Sequence, residues 1–494
     1  MNAFKILSLL ALGMLLAAGC NVGPNYRPPT TTMPASFGPL PPTSQPSPLA
    51  AAVTPAAQWW MLLNDPALDD LIARAVQANY DVRTAVARVR EARARRTIVS
   101  SQEYPSLDAV GDYSHNRLSQ NAAPYNAFKL PHFPWEFNQY QAGFDASWEL
   151  DVFGGTRRAV QAATADLEAT IEGQRGVVLS VLAEVARNYV ELRGYQQELI
   201  IARQNLQTQR QTLQLTLDRR KVGEATQLDV SRASAQVSST EATLPQLARQ
   251  EWQAMYRLSV LLGQQPGDLV DSLSAAAAIP VPPEQVATGL PAELLRRRPD
   301  IRQAERQLAA ATARIGQAKA DLYPQFALNG SFAWQSSDTH NLFDSPSRSW
   351  TVGPSVRWPV FDAGRIRANI KIRTAQQEQA MMSYEQTVLR AMEEVQDALV
   401  SFNTEQERRK SLQDAVRASQ ESVDLARELY RQGLSDFLSV LDAQRQLFQS
   451  QEALVLSDRA LTTSLVALYK ALGGGWEVAM ATTQPAATQP AAKP

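Results

Sequence analysis

The sequence predicts a mixed α/β membrane protein in which four β-strands are joined to long α-helices, with the whole pattern occurring twice. Three observations carry this. Apolar and polar residues alternate through four separate stretches. Leucine and valine recur at sevens along a long run without proline. Short motifs return at a fixed offset. With 45% hydrophobic residues and a mean hydropathy of -0.27, the 494-residue chain is no bundle of membrane-spanning helices.

The first twenty residues, MNAFKILSLLALGMLLAAGC, carry Lys5 and then an apolar run of 13 residues, Ile6 to Ala18. Such a run suits a secretory signal and falls short of the roughly 20 residues that a spanning helix needs. It ends in small residues followed by Cys20, the only cysteine. That pattern resembles a bacterial lipobox, with Ala17 where Leu is usual. It implies cleavage before Cys20 and acyl chains on that residue. An ordinary signal peptide whose cleavage site abuts a cysteine is the plainer alternative. Pro24 to Gln58 is rich in Pro, Thr and Ala and reads as an extended tether. The tail, ATTQPAATQPAAKP from Ala481, reads as disordered.

Asn79-Tyr80-Asp81-Val82-Arg83 recurs as Arg298-Pro299-Asp300-Ile301-Arg302, and each opens a helical stretch that stops at Tyr104-Pro105 or Tyr323-Pro324. After each Tyr-Pro the hydrophobic period changes from 3.6 to two. Leu107, Ala109, Gly111 and Tyr113 form one apolar row. Tyr140, Ala142, Phe144, Ala146, Trp148, Leu150 and Val152 form the next. Phe326, Leu328, Gly330, Phe332 and Trp334 form the third, and Trp350, Val352, Val356, Trp358 and Val360 the fourth. Alternation of this length marks transmembrane strands with one lipid face and one wet face. A soluble sheet with one buried face is the alternative for any single strand. Pro354 and Pro359 place the fourth strand at an edge or a bulge. Loops are expected from Arg117 to Asn138 and from Ser336 to Ser349. Trp135, Trp148, Trp334, Trp350 and Trp358 fit an interfacial belt, with core packing as the other reading.

Four strands do not close a barrel, and open edges are not tolerated in lipid. Spanning strands therefore require oligomerisation. The polar rows want water, and an eight-stranded barrel fills with side chains, so twelve or more strands fit better.

From Arg157 to Asp218 no proline intervenes, and Val178, Val185, Leu192, Leu199, Leu206 and Leu213 fall seven apart, as do Leu447, Leu454, Leu461 and Leu468. This predicts coiled-coil-like packing in helices of about 60 residues, or roughly 90 Å. Pro245 predicts a kink in the return helix. A plain coiled-coil rod would explain these helices but neither the strands nor the lipobox.

Lys+Arg is 48 and Asp+Glu is 49, so no basic excess points to nucleic acid. One cysteine excludes an internal disulfide. His115, His132 and His340 are far apart, which argues against a His/Cys metal centre. The HExxH, GxSxG and P-loop patterns are missing, so no enzyme is indicated and no cofactor beyond the lipid on Cys20.

Five segments together resemble the TolC-like outer-membrane factors, in their lipoprotein OprM/NodT-type branch. They are LAAGC, RRRPDIRQAERQLAAATARIGQAKADLYPQFALNG from 296 to 330, VFDAGRIRA from 360, LSVLDAQRQLF from 438 and LYKALGGGW from 468. The resemblance implies a homotrimer with a shared twelve-stranded transmembrane β-barrel, continuous with a long periplasmic α-helical barrel. It implies a passive outer-membrane exit duct. Drugs, solvents, metals or other small molecules would pass through it from a periplasmic adaptor and an inner-membrane pump. A protein-secretion outlet and a structural coiled-coil lipoprotein are the alternatives. The expected organisation is a signal peptide over 1–19, a lipidated Pro-rich tether over 20–58, repeats over 59–275 and 276–476, and a disordered tail over 477–494.

Gly223 and Gly433 fall where long helices should reverse, as glycine caps. The resemblance places those turns at the periplasmic mouth, where Val222, Gly223, Glu224, Gln432, Gly433 and Leu434 would meet the adaptor. It makes Asp229, Asp442 and Tyr430 candidate gate residues. Ser435 and Ser439 stand where some relatives carry Arg and Asp, which leaves Asp436 as a substitute. Carboxylates around a narrow pore favour cations. The bland reading of Asp229 and Asp442 is solvated helix-surface acids.

Overall fold

In this computed structural model the described residues are 21–34, 37–38, 49–50, 57–119, 135–283, 286–287 and 291–477. The expected signal peptide, Cys20, most of the expected first loop and the tail from 478 lie outside them. The chain divides into two compact units. One contains the residues up to Pro29 with Arg90–Ala169 and Glu305–Ser383. The other contains Thr30–Val89, Thr170–Ala304 and the chain from Tyr384. Each unit draws on both halves of the sequence.

The elements follow in order. Helix α1 is Pro66–Ala78 and α2 is Tyr80–Ser101. Strands β1, Ser106–Arg117, and β2, Glu136–Leu150, come next. Helices α3, Gly155–Lys221, and α4, Gln227–Leu261, follow. After short connecting pieces, α5 is Pro299–Ala320, β3 is Gln325–Ser336 and β4 is Arg348–Arg357. The long helices α6, Arg365–Arg431, and α7, Phe437–Ala471, complete the chain. Helices α2 and α5 have 22 residues each, α3 and α6 have 67 each, and α4 and α7 have 35 each. No described helix is long and apolar enough to cross a membrane. Leu49–Ala50 and Val286–Ala287 add a small parallel pair that the sequence did not signal.

In the first unit the four main strands form one antiparallel sheet in the order β1-β2-β3-β4. Opposed residues share a face, and successive residues alternate faces. The register therefore gathers Leu107, Phe144, Phe332 and Trp350, with their apolar neighbours at every second position, onto one side. That side is not a core: Leu107 and Trp350 are 70% and 72% exposed, and Tyr113, Phe144, Val352 and Val356 are exposed too. The other side is polar. Ser147 Oγ donates to Asn329 Oδ1 at 3.0 Å, and Asn329 Nδ2 to Ser355 Oγ at 2.9 Å, a ladder over three strands. Asp108 lies directly opposite Asp145. Like charges so placed are destabilising unless water screens them, so this face requires solvent.

Strand limits differ from expectation. Val152, Trp358, Pro359 and Val360 lie beyond the strands, and β2 begins at Glu136. Val152 N–H turns back to Leu150 O at 2.8 Å, which ends the ladder. Trp358 donates from Nε1 to Leu322 O, as Trp148 does to Glu103 O, both at 3.1 Å. Both acceptors immediately precede a Tyr-Pro pair. Pro354 sits in β4, an edge strand of the sheet. Pro245 lies inside α4, which continues across it.

The start of the expected tether makes specific contacts. Val22 N–H bonds Phe153 O at 3.2 Å. The Arg158 guanidinium reaches Val22 O at 3.2 Å and Asn25 Oδ1 at 2.8 Å, and Tyr26 donates to Glu305 Oε1 at 2.9 Å. Within the second unit, Met33 and Phe37 pack on the main core. Apolar anchors among the prolines dock a strap that composition alone reads as free.

That core is in the second unit. Of the heptad positions, Val178, Val185, Leu192, Leu199, Leu206, Leu447, Leu461 and Leu468 are buried, while Leu213 and Leu454 are half-buried. Trp59 stacks on Tyr469 with centroids 5.7 Å apart, and burial pushes the Tyr469 hydroxyl up to about 12. Asp65 caps α1 through the N–H groups of Ala67 and Leu68 and accepts from the Tyr189 hydroxyl at 2.7 Å.

Candidate functional site

The candidate site is the pair of helix turns in the second unit. At the end of α3, Gly223 takes φ 83°, its N–H bonds Arg220 O at 3.0 Å, and Glu224 N–H reaches back to Arg219 O at 2.9 Å. At the end of α6, Gly433 takes φ 75°, bonds Tyr430 O at 3.1 Å, and Leu434 N–H reaches Leu429 O at 2.9 Å. Both are Schellman caps. Glycine stands there because a left-handed backbone is strained for residues with a Cβ. Val222, Gly223, Glu224, Gln432, Gly433 and Leu434 are all exposed, and the aliphatic tips Val222 and Leu434 are each 71% so.

The helices that follow begin with a matched device in which the partners trade places. Thr226 caps α4: Asp229 N–H bonds its Oγ1 at 3.2 Å, and Thr226 N–H returns to Asp229 Oδ2 at 3.0 Å. Asp436 caps α7: its carboxylate accepts from Ser439 N–H at 3.0 Å and from the Ser439 hydroxyl at 2.6 Å. Those two bonds, with a smaller contribution from the Arg232 charge, hold Asp436 below the usual carboxylate range. Ser439 therefore stands opposite in role to Asp229, which accounts for the missing acid noted in the sequence. Asp442 is exposed on α7, and its carboxylate makes no hydrogen bond or ion pair among the described residues.

Tyr430 is buried against Phe437, ring to ring edgewise at 5.9 Å, with Val440, Leu441 and Ala233 around it. None of Asp229, Asp436 and Asp442 reaches its hydroxyl, which has no partner. The partner the sequence did not reveal is Arg219. Its guanidinium lies 4.6 Å from the Tyr430 ring centre, donates to the Tyr430 carbonyl, and pairs with Glu224 at 3.3 Å. In the sequence Arg219 is one of three adjacent basic residues at a helix end, where any cation is favoured. Nothing local separates it from Arg220 or Lys221. Among the described residues no group of three His, Cys, Asp or Glu is placed to hold a metal ion.

The chain is similar to known proteins along most of its length. The sequence profile described as "Outer membrane efflux protein" matches residues 71–264 and 290–474. The solvent efflux pump outer membrane protein SrpC of Pseudomonas putida is 34% identical over 96% of this chain and 99% of its own length. Nodulation protein T of Rhizobium leguminosarum bv. trifolii is 32% identical over 94% of this chain and 96% of its own. The solved outer-membrane channel OprN superposes with a TM-score of 0.85 at 36% identity, covering 93% of this chain and all of that one. With a profile match over most of its length and relatives of this similarity, the chain belongs to the outer membrane efflux protein family.

Proposed function

We propose that the protein is the outer-membrane exit duct of a tripartite efflux system. It passively conducts small molecules such as drugs, solvents or metals, delivered by a periplasmic adaptor and an inner-membrane pump. The observation that carries this is the sheet. Its apolar face is exposed, its opposite face is polar, and among the described residues β1 and β4 are unpaired edges. Lipid requires every edge to be closed. Three chains supply twelve strands, closing a barrel around a polar lumen above a helical barrel. The equal helix lengths, the two profile matches and the twin Trp148 and Trp358 bonds support an internal duplication, with repeats over 59–275 and 276–476. Residues 1–19 are a signal peptide, and 20–58 a lipidated N-terminal segment. The turns Val222–Glu224 and Gln432–Leu434 face the adaptor.

Single-channel conductance in planar bilayers tests the duct and its gate together. Asp229 completes the capping box at the start of α4, and an alanine there costs up to about 1 kcal/mol for reasons unrelated to gating. Asp229→Asn with Asp442→Asn removes charge while keeping an acceptor for Thr226. A small wild-type conductance that rises in this double variant is expected. An unchanged conductance moves the gate elsewhere. No conductance from folded, inserted protein leaves a structural lipoprotein. Separately, Cys20→Ser should abolish incorporation of labelled fatty acid, and persistent labelling would rule out lipidation at Cys20.

A further inference from the structure

The apolar face of the sheet carries two arginines, Arg117 at the end of β1 and Arg348 at the start of β4. Arg117 is neutralised by Glu136, which lies directly opposite it and pairs at 2.9 Å. Arg348 is exposed, and its guanidinium has no hydrogen-bond or ion-pair partner among the described residues. The acids of the loop before it are not its partners. Asp338 is taken by His340 at 2.9 Å, and Asp344 makes no ion pair. An unpaired cation on a face that is otherwise apolar calls for an anion from outside the chain.

The surroundings of Arg348 give the level at which that anion lies. The chain joins α2, α3, α5 and α6 to one end of the sheet, and Arg348 opens β4 at the other. Trp334 lies directly opposite it on β3, and Trp350, two residues on, shares its face. Phe332 and Phe343 meet the Trp334 ring edgewise at 4.8 and 5.7 Å. Phe343 comes from the β3–β4 loop, which the Ser347 hydroxyl fastens to Asn341 O at 2.7 Å. Aromatic girdles mark the interfaces of a barrel's lipid-facing surface. An arginine is tolerated at that level and strongly destabilising at the midplane. The Trp334 indole N–H is buried without an acceptor, so the residue opposite the arginine holds a second unused donor.

We propose that Arg348, backed by Trp334, is a binding site for the phosphate group of an outer-leaflet lipid. This rests on the duct reading above, which sets the loop end of the sheet at the outer leaflet. A guanidinium presents a planar fork that matches phosphate oxygens two at a time. A further phosphate oxygen satisfies the indole N–H once that donor turns to it. The headgroup is held by charge, and its acyl chains lie along the apolar rows that continue toward the other end of the sheet. Each chain carries one such site.

The test uses full-length protein purified in a neutral detergent, with lipid A and its fully dephosphorylated form as competing probes at equal concentration. Native mass spectrometry reads the ratio of the two forms bound. Arg348→Ala should lower that ratio about tenfold, the order expected for charge-assisted bonds to a phosphate. Arg348→Lys should lower it less, as should Trp334→Phe, which removes only the indole donor. Arg117→Ala should match wild type, because Glu136 already occupies that arginine. An unchanged ratio in Arg348→Ala would overturn the site and leave the duct standing, since conductance tests the duct separately. An equal fall in Arg117→Ala would reduce the effect to general surface charge and overturn it too. Displacement of lipid A by millimolar inorganic phosphate would assign the site to a free anion instead of a lipid. An Arg348→Ala protein that keeps its ratio but runs as a monomer on semi-denaturing gels would place the arginine in a joint between chains.

Discussion

Gly143→Val is expected to abolish assembly of the sheet. Gly143 sits in the middle of β2, paired with Val110 on β1 and Ala333 on β3. A Cβ at this position would lie 2.3 Å from Phe332 O and 2.6 Å from the Ala333 Cα. Both obstacles are backbone, so no rotamer change relieves them. The strands must separate and lose ladder hydrogen bonds, or the chain must shift register. A one-residue shift would exchange the apolar and polar faces. Overpacking alone costs about 1–3 kcal/mol, and broken ladder bonds add to it. The measurement is the assembled oligomer recovered from membranes and resolved on semi-denaturing gels. Gly330→Ala is the control, because a Cβ there meets nothing closer than Thr351 O at 3.8 Å. Normal assembly of Gly143→Val beside normal Gly330→Ala would show that the close approach is not a constraint.

Arg298→Ala should cause the second large loss. The Arg298 side chain is 7% exposed and lies where three helices meet. Nε and Nη2 fork onto Asp300 at 3.0 and 2.6 Å, Nη2 also reaches Glu394 at 2.7 Å, and Nη1 caps the end of α7 at Ala471 O, 2.8 Å away. Burial opposes its charge, yet the two carboxylates more than compensate and raise Arg298 above the ordinary arginine value. Truncation leaves a buried carbonyl without its donor and two carboxylates without their cation. Breaking a fully buried pair costs about 3–5 kcal/mol. Asp300 and Glu394 are 47% and 57% exposed, so solvent screens part of this, and about 2–3 kcal/mol is the expected loss. Arg298→Lys recovers the charge but not the fork and should fall between the two. The denaturant midpoint of the detergent-solubilised protein reads the effect. An alanine variant as stable as wild type would show that the junction is held by the core alone.

Much of the fold is legible in the sequence because it is written in short-range periods. Alternation from Tyr140 to Leu150 is local, and so is the sevenfold recurrence from Val178 to Leu206. Each forecasts its element and its apolar side. The glycine caps are legible for the same reason, since Gly223 and Gly433 each act on the five residues before them. The misjudged ends fail for a local reason that periodicity does not contain. Trp358 continues the apolar row but donates its indole N–H to Leu322, outside the ladder.

Proline content does not reveal the contacts of the N-terminal segment, where Tyr26, Met33 and Phe37 find surfaces supplied by distant residues. The gate candidates were likewise readable as acids near a turn. Their duties were not. Asp229 and Asp436 are each tied to a hydroxyl residue three positions away, and neither meets Tyr430. Arg219 is half-buried while Arg220 and Lys221 are exposed, although the three are chemically similar neighbours in the chain.

Local pattern thus determines which segments are strands, which are helices, where the long helices reverse, and which family the chain belongs to. Pairing across long separations is decided only in the folded molecule. The register that sets Gly143 against Ala333, the union of both sequence halves in each unit, and the stack of Arg219 on Tyr430 all depend on which surfaces meet. Those contacts join residues about two hundred positions apart, and no spacing in the chain encodes them.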